Sequence, residues 1–324
     1  MMRRSILLLT CVSLLAASAC ALAAEPCRYS APRNAEIDAA GLKLLAVEIG
    51  PDNLVIQGQP GLAKIEVRGT ACASDEKWLQ DIKVETARTG DTASVIARDG
   101  DHNVNFFSIF NIVEGGSYAY LKLDVRVPQA LAVRLKEGSG DATASKLAAL
   151  DATLGSGDLK VDGVAGELGL RVGSGDVVAN DVGSLNLSSL GSGDVSVDGV
   201  RGDAHAGSVG SGDLGLRNVT GNVSIGSVAS GDAKLAGVGG SVQVQSVGSG
   251  DLGARNVKGD VTVGAVASGD VSIEQAGGNV SAQSVGSGDF GANGVGGDFS
   301  VGSLGSGDVH HHGVKGKVSV PSDD

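Results

Sequence analysis

Aromatic side chains make up only 3 % of this 324-residue chain, and beyond residue 135 only Phe290 and Phe299 remain. Any core in that stretch has to be filled by Val, Leu and Ile. Basic residues are also in short supply, with 25 Lys and Arg against 37 Asp and Glu and a net charge of −12. Residues 136–324 hold 22 of the acids and 11 of the bases, so nearly all the excess lies there. A surface of that sign repels nucleic acid and anionic lipid and argues against both as direct partners. Apart from Ile6 to Ala19 no apolar run approaches the length of a membrane span. Helix is excluded from the second half by what it has in excess: 52 glycines, most of them there, each costing a helix about 1 kcal/mol relative to Ala.

The dominant feature is the tetrapeptide Gly-Ser-Gly-Asp, or Ala-Ser-Gly-Asp, repeated ten times with its aspartate at Asp141, Asp158, Asp176, Asp194, Asp213, Asp232, Asp251, Asp270, Asp289 and Asp308. The last six intervals are all 19 residues. A fixed period of this size marks a solenoid, in which each coil buries its apolar face only against its neighbours. One residue after the Asp stand Leu159, Val195 and Leu252; three after, Val161, Leu216 and Leu235; six after, Val200, Val219, Val238 and Val257. The second half of each unit repeats the spacing, as in Val223, Ile225 and Val228 after Gly221. Apolar residues two apart share one side of a strand, and β-branched Val suits a pleated surface. The expectation is an all-β fold: a parallel β-solenoid of about ten 19-residue rungs, two short strands each, on the order of 45 to 50 Å long at the strand spacing.

Residues 1–24 carry Arg3 and Arg4, an apolar run and small residues ending Ala21-Leu22-Ala23, the pattern of a cleaved secretory signal. Ala17-Ser18-Ala19-Cys20 also approximates a lipobox, which would place a lipid on Cys20. Export to the periplasm or cell envelope follows, and neither a barrel-forming C-terminus nor a cell-wall sorting tail is visible. Signal cleavage leaves Cys27 and Cys72, an even pair that reads as a disulfide in an oxidising compartment, two free buried thiols being the alternative. Such a bridge contributes up to ~4 kcal/mol through loop entropy. Residues 25–135 hold seven of the nine aromatics and several alternating stretches, so they form a β-rich cap over the first rung, with one short helix opening at Ser74-Asp75-Glu76. Phe106-Phe107-Ser108-Ile109-Phe110 is expected to pack on that rung, and residues 321–324 form a tail.

The ten aspartates are the one candidate for chemistry. Stacked in register, neighbouring carboxylates about 5 Å apart repel by roughly 0.8 kcal/mol in water or ~3 at an effective dielectric of 20, so something offsets the repulsion. Backbone amides at the Gly-rich corner can do so, which makes the column a turn former. The opposite corner accepts Asp203, Asn222, Ser241, Asp260, Asn279, Asp298 and Lys317, whereas the first keeps ten Asp. That contrast leaves open a cation- or partner-binding edge, with weak divalent cation binding and no other cofactor. His310-His311-His312 on the final rung reads as end capping, with His311 at an inward station and His310 and His312 facing outward as a pair that can clip a transition metal. Calcium-binding nonapeptide rolls share Gly and Asp corners, but the matching acidic turn of their cage is missing here. No nucleophile with a base, phosphate loop or metal-hydrolase motif is present, and the rungs carry no insertions, so no catalytic residue is assigned.

Gly-Ser-Gly-Asp followed by Val-x-Val, then a second Gly-Asp/Asn-Val-x-Val, resembles the repeats of a bacterial putative-adhesin family of unknown function, related to the auto-transporter adhesin head domain. The resemblance covers about residues 40 to 320. It implies an exported, non-catalytic β-solenoid and brings no binding residues with it; the partner expected for such a chain is an unidentified envelope protein or polysaccharide. A carbohydrate-active β-helix enzyme and a calcium-dependent secreted β-roll are the alternatives from other classes.

Overall fold

The computed structural model of the chain describes residues 27–98 and 118–321. The signal segment with Cys20, His102 and the Phe106–Phe110 window lie outside the described residues. Each 19-residue unit forms two six-residue strands, for example Leu214–Val219 and Val223–Val228, then Ala233–Val238 and Val242–Val247. Strands pair in parallel with their equivalents in the next rung, Leu214 with Ala233, Leu216 with Leu235 and Val219 with Val238 on one sheet. On the other sheet Val223 pairs with Val242, Ile225 with Val244 and Val228 with Val247. The solenoid expected from the period is therefore the fold, with Val200, Val219, Val238 and Val257 stacked at 0 to 2 % exposure.

From Val195–Val200 to Phe290–Val295 each strand buries its first, third and sixth residues, which simple alternation does not allow, whereas the earlier Ala149–Leu154 still alternates. On the Asp-side sheet the fifth residue resets the alternation by taking a left-handed conformation in all ten rungs, from Lys146 (φ 56) through Asn218 (φ 54), Gly237 (φ 72) and Gln275 (φ 61) to Gly313 (φ 65). An extra left-handed residue turns the following side chain back to the original face, as in a β-bulge. The return strand reaches the same burial pattern with no left-handed residue. No proline stands between positions 129 and 320, because interior strands are paired on both edges and a residue without an N–H would break a ladder.

The early rungs are shorter, and the structure shows what they omit. Leu159–Val172 and Val177–Leu190 run through the second corner as continuous 14-residue strands, with register shifts between Val164 and Glu167 and between Leu170 and Arg171. From Arg201 onward the corner has three residues outside the strands, here 201–203 between Val195–Val200 and Ala204–Val209. Arg201 bridges the change of pitch, its guanidinium donating to the carbonyls of Val164 at 2.9 Å and Ala165 at 3.2 Å while pairing with Asp181.

The stack does not begin with the tetrapeptides. Leu44–Ile49 lies parallel to Ala132–Glu137, and Asn53–Gln59 parallel to Ala142–Leu147, so residues 44–59 form a rung of their own. The sequence-based boundary at 135/136 falls inside the strand Ala132–Glu137. Between Gln59 and Ala132 the described residues build the end cover. Ala119–Pro128 pairs parallel with Asn53–Gln59 and antiparallel with Lys64–Ala73. Thr92–Arg98 pairs parallel with Leu44–Ile49 and antiparallel with Lys83–Thr89. Both parallel sheets thus end in an antiparallel hairpin or meander, which removes a template edge for another rung. Tyr29–Pro32 extends this cover, and the Cys27–Cys72 disulfide, with Cα atoms 5.5 Å apart, ties its start to Lys64–Ala73. The short helix is a 3₁₀ turn, Glu76–Gln80, capped by Asp75. Near the other end Phe290 and Phe299, both 0 % exposed and 5.7 Å apart between ring centres, fill the core beneath the last rung.

Candidate functional site

All ten aspartates lie in one column, and nine consecutive links join them. The backbone N–H of each Asp donates to Oδ1 of the Asp one rung earlier: Asp158 to Asp141 at 3.3 Å, Asp232 to Asp213 at 3.0 Å, Asp308 to Asp289 at 3.0 Å, and the others between 2.8 and 3.1 Å. The Asp carbonyl meanwhile accepts the N–H that follows the earlier Asp, as in Ala233 to Asp251 at 2.8 Å. The side chain thus supplies the acceptor that the turning backbone fails to present, and a charged acceptor strengthens such a bond. These amides are what offsets the repulsion along the column.

The second corner is built in the same way. Asn222 N–H donates to Asp203 Oδ1 at 2.7 Å, Ser241 to Asn222 at 2.9 Å, Asp260 to Ser241 Oγ at 3.1 Å and Lys317 to Asp298 at 2.8 Å. Any short acceptor serves there, and Lys317, last in its column, only donates. The hydrogen bonding does not explain why the first corner keeps ten carboxylates. At its head the equivalent station is held by Asn53, since Leu54 pairs with Ala142.

Lys234 shows how the outer oxygens are placed. Its Nζ lies 3.1 Å from Asp232 Oδ2 and 3.9 Å from Asp213 Oδ2, so a group two residues after an Asp reaches the carboxylates of two consecutive rungs. The N–H of Asp251, and then Lys234, hold the Asp232 carboxyl below its usual range. A carboxyl lowered on folding contributes stability above its unfolded pKa and loses it as pH falls through the folded value. Changing Asp213, Asp232, Asp251 and Asp270 together to Asn is expected to shift Tm at pH 7 by less than about 5 °C, since Asn222 already serves as an acceptor, and to flatten the loss of stability below about pH 4. Melts at pH 7 and pH 3 check this. A rise of Tm with calcium confined to the wild type would instead assign the column an ion-binding role.

Two buried carboxylates went unnoticed in the sequence: Asp52, whose Oδ1 accepts the Leu121 N–H at 2.6 Å, and Glu137. Glu137 is 3 % exposed and stands between Ile49 and Leu154 in an inward column. Neither of its oxygens has a hydrogen-bond partner among the described residues. Burial, and then Asp141 and Asp158, push its pKa up to about 7. The signal was present: four residues before the other nine aspartates stand only Leu and Val, from Leu154 to Leu304. A carboxyl raised on folding binds its proton more tightly in the native state, so stability falls as pH rises from the unfolded value near 4.5 to about 7 and is then level. Glu137→Leu is expected to stabilise the chain, with a gain at pH 8 exceeding that at pH 5 by roughly 1 to 3 kcal/mol. Denaturant titrations at the two pH values measure it, and equal gains would remove ionisation as the cause.

Ladder, corners and core define a two-sheet parallel β-solenoid with an acceptor column on each side. No family model and no curated protein matches the chain. Among solved structures it is similar to a putative adhesin from Parabacteroides distasonis, at 15 % identity and a TM-score of 0.34, over 87 % of this chain and 97 % of that one. It is also similar to a putative lipid binding protein from the same organism, at 17 % identity and 0.33, over 86 % and 96 %. A putative cell adhesion protein from Clostridium sporogenes matches at 10 % identity and 0.26, over 90 % and 99 %. Similarity of this degree leaves function to be argued from the chain itself.

Proposed function

We propose that the chain is a non-catalytic, exported β-solenoid that acts as an adhesin-like scaffold or binding module of the bacterial envelope, with an envelope protein or polysaccharide as partner. The observation that carries this reading is the uninterrupted stack, in which the repeated polar residues are spent on main-chain bonds between rungs and not gathered into one local cluster. Catalysis on such a framework needs acid, base and cation brought together at one place. What the rod offers is length and a repeating outer face. A shallow groove follows the left-handed stations Asn218, Gly237, Asn256, Gln275, Gly294 and Gly313 along six rungs. Amide side chains and bare backbone at rung spacing suit an extended polymer. Fractionation of the native cell with protease shaving tests the proposal: the chain is expected outside the cytoplasm, and recovery of its full length in the cytoplasm overturns export and the envelope role together.

A further inference from the structure

We propose that Asp289, Asp308 and His310 form a binding site for a divalent first-row transition metal at the C-terminal end of the aspartate column. Their ligand atoms, one from each side chain, all lie within 4.8 Å of one another, and all three residues are exposed. The geometry has a precedent inside the molecule. His310 follows Asp308 by two residues and Asp289 is the Asp of the preceding rung, which is the relation of Lys234 to Asp232 and Asp213, whose carboxylates its ammonium reaches. There the third group is a cation that satisfies the carboxylates; at the end of the rod it is an imidazole, which donates a lone pair.

Two further features bear on this station, the first shared with the rest of the column and the second peculiar to its end. Asp289 Oδ1 is held by the N–H of Asp308 at 3.0 Å, which orients the carboxylate as an outer-shell partner does in metal sites. Among the described residues no N–H donates to the Asp308 carboxylate, so there it carries no ladder bond. His311 pairs with Ala292 and lies against Phe299 at 5.4 Å, which turns it toward the end of the core and away from this set. A metal about 2.0 to 2.2 Å from each donor requires the ligand atoms to close to about 3 to 3.5 Å, a movement exposed side chains make by rotation. Two carboxylates and one imidazole leave a water position and suit Zn²⁺, Co²⁺ or Mn²⁺ better than the all-oxygen preference of Ca²⁺.

The test is titration of the untagged, disulfide-bonded full chain with Zn²⁺ in chelator-free buffer, followed by calorimetry, with Co²⁺ absorption as a second readout. One equivalent is expected to bind the wild type, with Ca²⁺ at least tenfold weaker. His310→Ala and Asp289→Asn are expected to lower Zn²⁺ affinity roughly tenfold or more, and His312→Ala to leave it within about twofold on the same scale. Asn at 289 keeps an acceptor for the Asp308 N–H, and thermal melts check that each variant is folded. Lys234→His, which places an imidazole over Asp213 and Asp232, is expected to add a second equivalent. Absence of a saturable equivalent in the wild type, unchanged affinity in His310→Ala, or equal losses in His310→Ala and His312→Ala would overturn the site.

Discussion

Replacing Gly250 by alanine is expected to lower stability by about 3 kcal/mol or more, whereas Gly248→Ala, two residues away in the same corner, is expected to stay within about 1 kcal/mol. A Cβ on Gly250 would fall well inside contact distance of the Gly231 carbonyl oxygen in the rung before, and the same holds at Gly175, Gly212, Gly269 and Gly307. These are main-chain atoms held by ladders on both sheets, so they have no side-chain rotation with which to make room. At Gly248 the added Cβ would lie 2.6 Å from the Ala229 carbonyl oxygen. That station already holds Ala229 and Ala267, each with its N–H bonded at 2.8 Å to the rung before, so the corner absorbs the methyl group. The two forms of the tetrapeptide are thereby explained: the first glycine is optional and the second is required. Urea unfolding monitored together with limited proteolysis measures both variants, because a repeat stack can lose some rungs and keep others. Equal effects at the two positions would refute the close-approach argument.

Val238→Asp is expected to be as damaging by a different route. Val238 is 1 % exposed and stacks between Val219 and Val257 in a core only two sheets thick. A carboxylate there has no cation to pair with and no water, so it either binds a proton or forces the rung open, at a cost of several kcal/mol. Ala276 occupies the same station naturally, so Val238→Ala is expected to cost only about 1 to 3 kcal/mol as a small cavity. Ser224→Asp supplies the control. Ser224 is exposed on the outer face of its strand between His205 and Gln243, so a charge there enters solvent. A melt of Val238→Asp no lower than that of Ser224→Asp would show that the inward column is not the core.

The solenoid was legible because each station is sampled ten times: the period, the inward valines and the aspartate edge all stand out from random variation. The rung at residues 44–59 was not, since it occurs once, carries Gly50-Pro51-Asp52-Asn53 in place of the tetrapeptide, and is separated from its neighbour by the end cover. The left-handed station was obscured for another reason. Lys146, Asp181 and Gln275 adopt it beside the expected Gly and Asn, because packing of the following apolar residue, Leu147, Val182 or Ala276, outweighs a local preference of about 1 kcal/mol. Asp identity was visible at ten positions, but that each Oδ1 receives the next rung's N–H depends on register, which a single sequence does not contain. Histidine positions were equally plain, yet the sequence pairs His310 with His312, while the structure gathers His310 with two aspartates from different rungs.

The acceptor columns have a consequence for how such a chain changes over time. Every bond of the aspartate column joins one rung to the next by the same donor and acceptor, and the second corner accepts any short acceptor, so a duplicated 19-residue unit inserted anywhere from Asp194 to Asp308 meets partners equivalent to those it displaces. The disulfide-tied cover takes no part in those bonds, and the aromatic plug near the other end joins them only through its main chain, the Phe290 N–H donating to the Asp308 carbonyl at 2.9 Å like any other rung. Length is therefore open to adjustment by whole units, like links added to a chain, and homologous rods that differ by multiples of one unit would keep both ends unaltered.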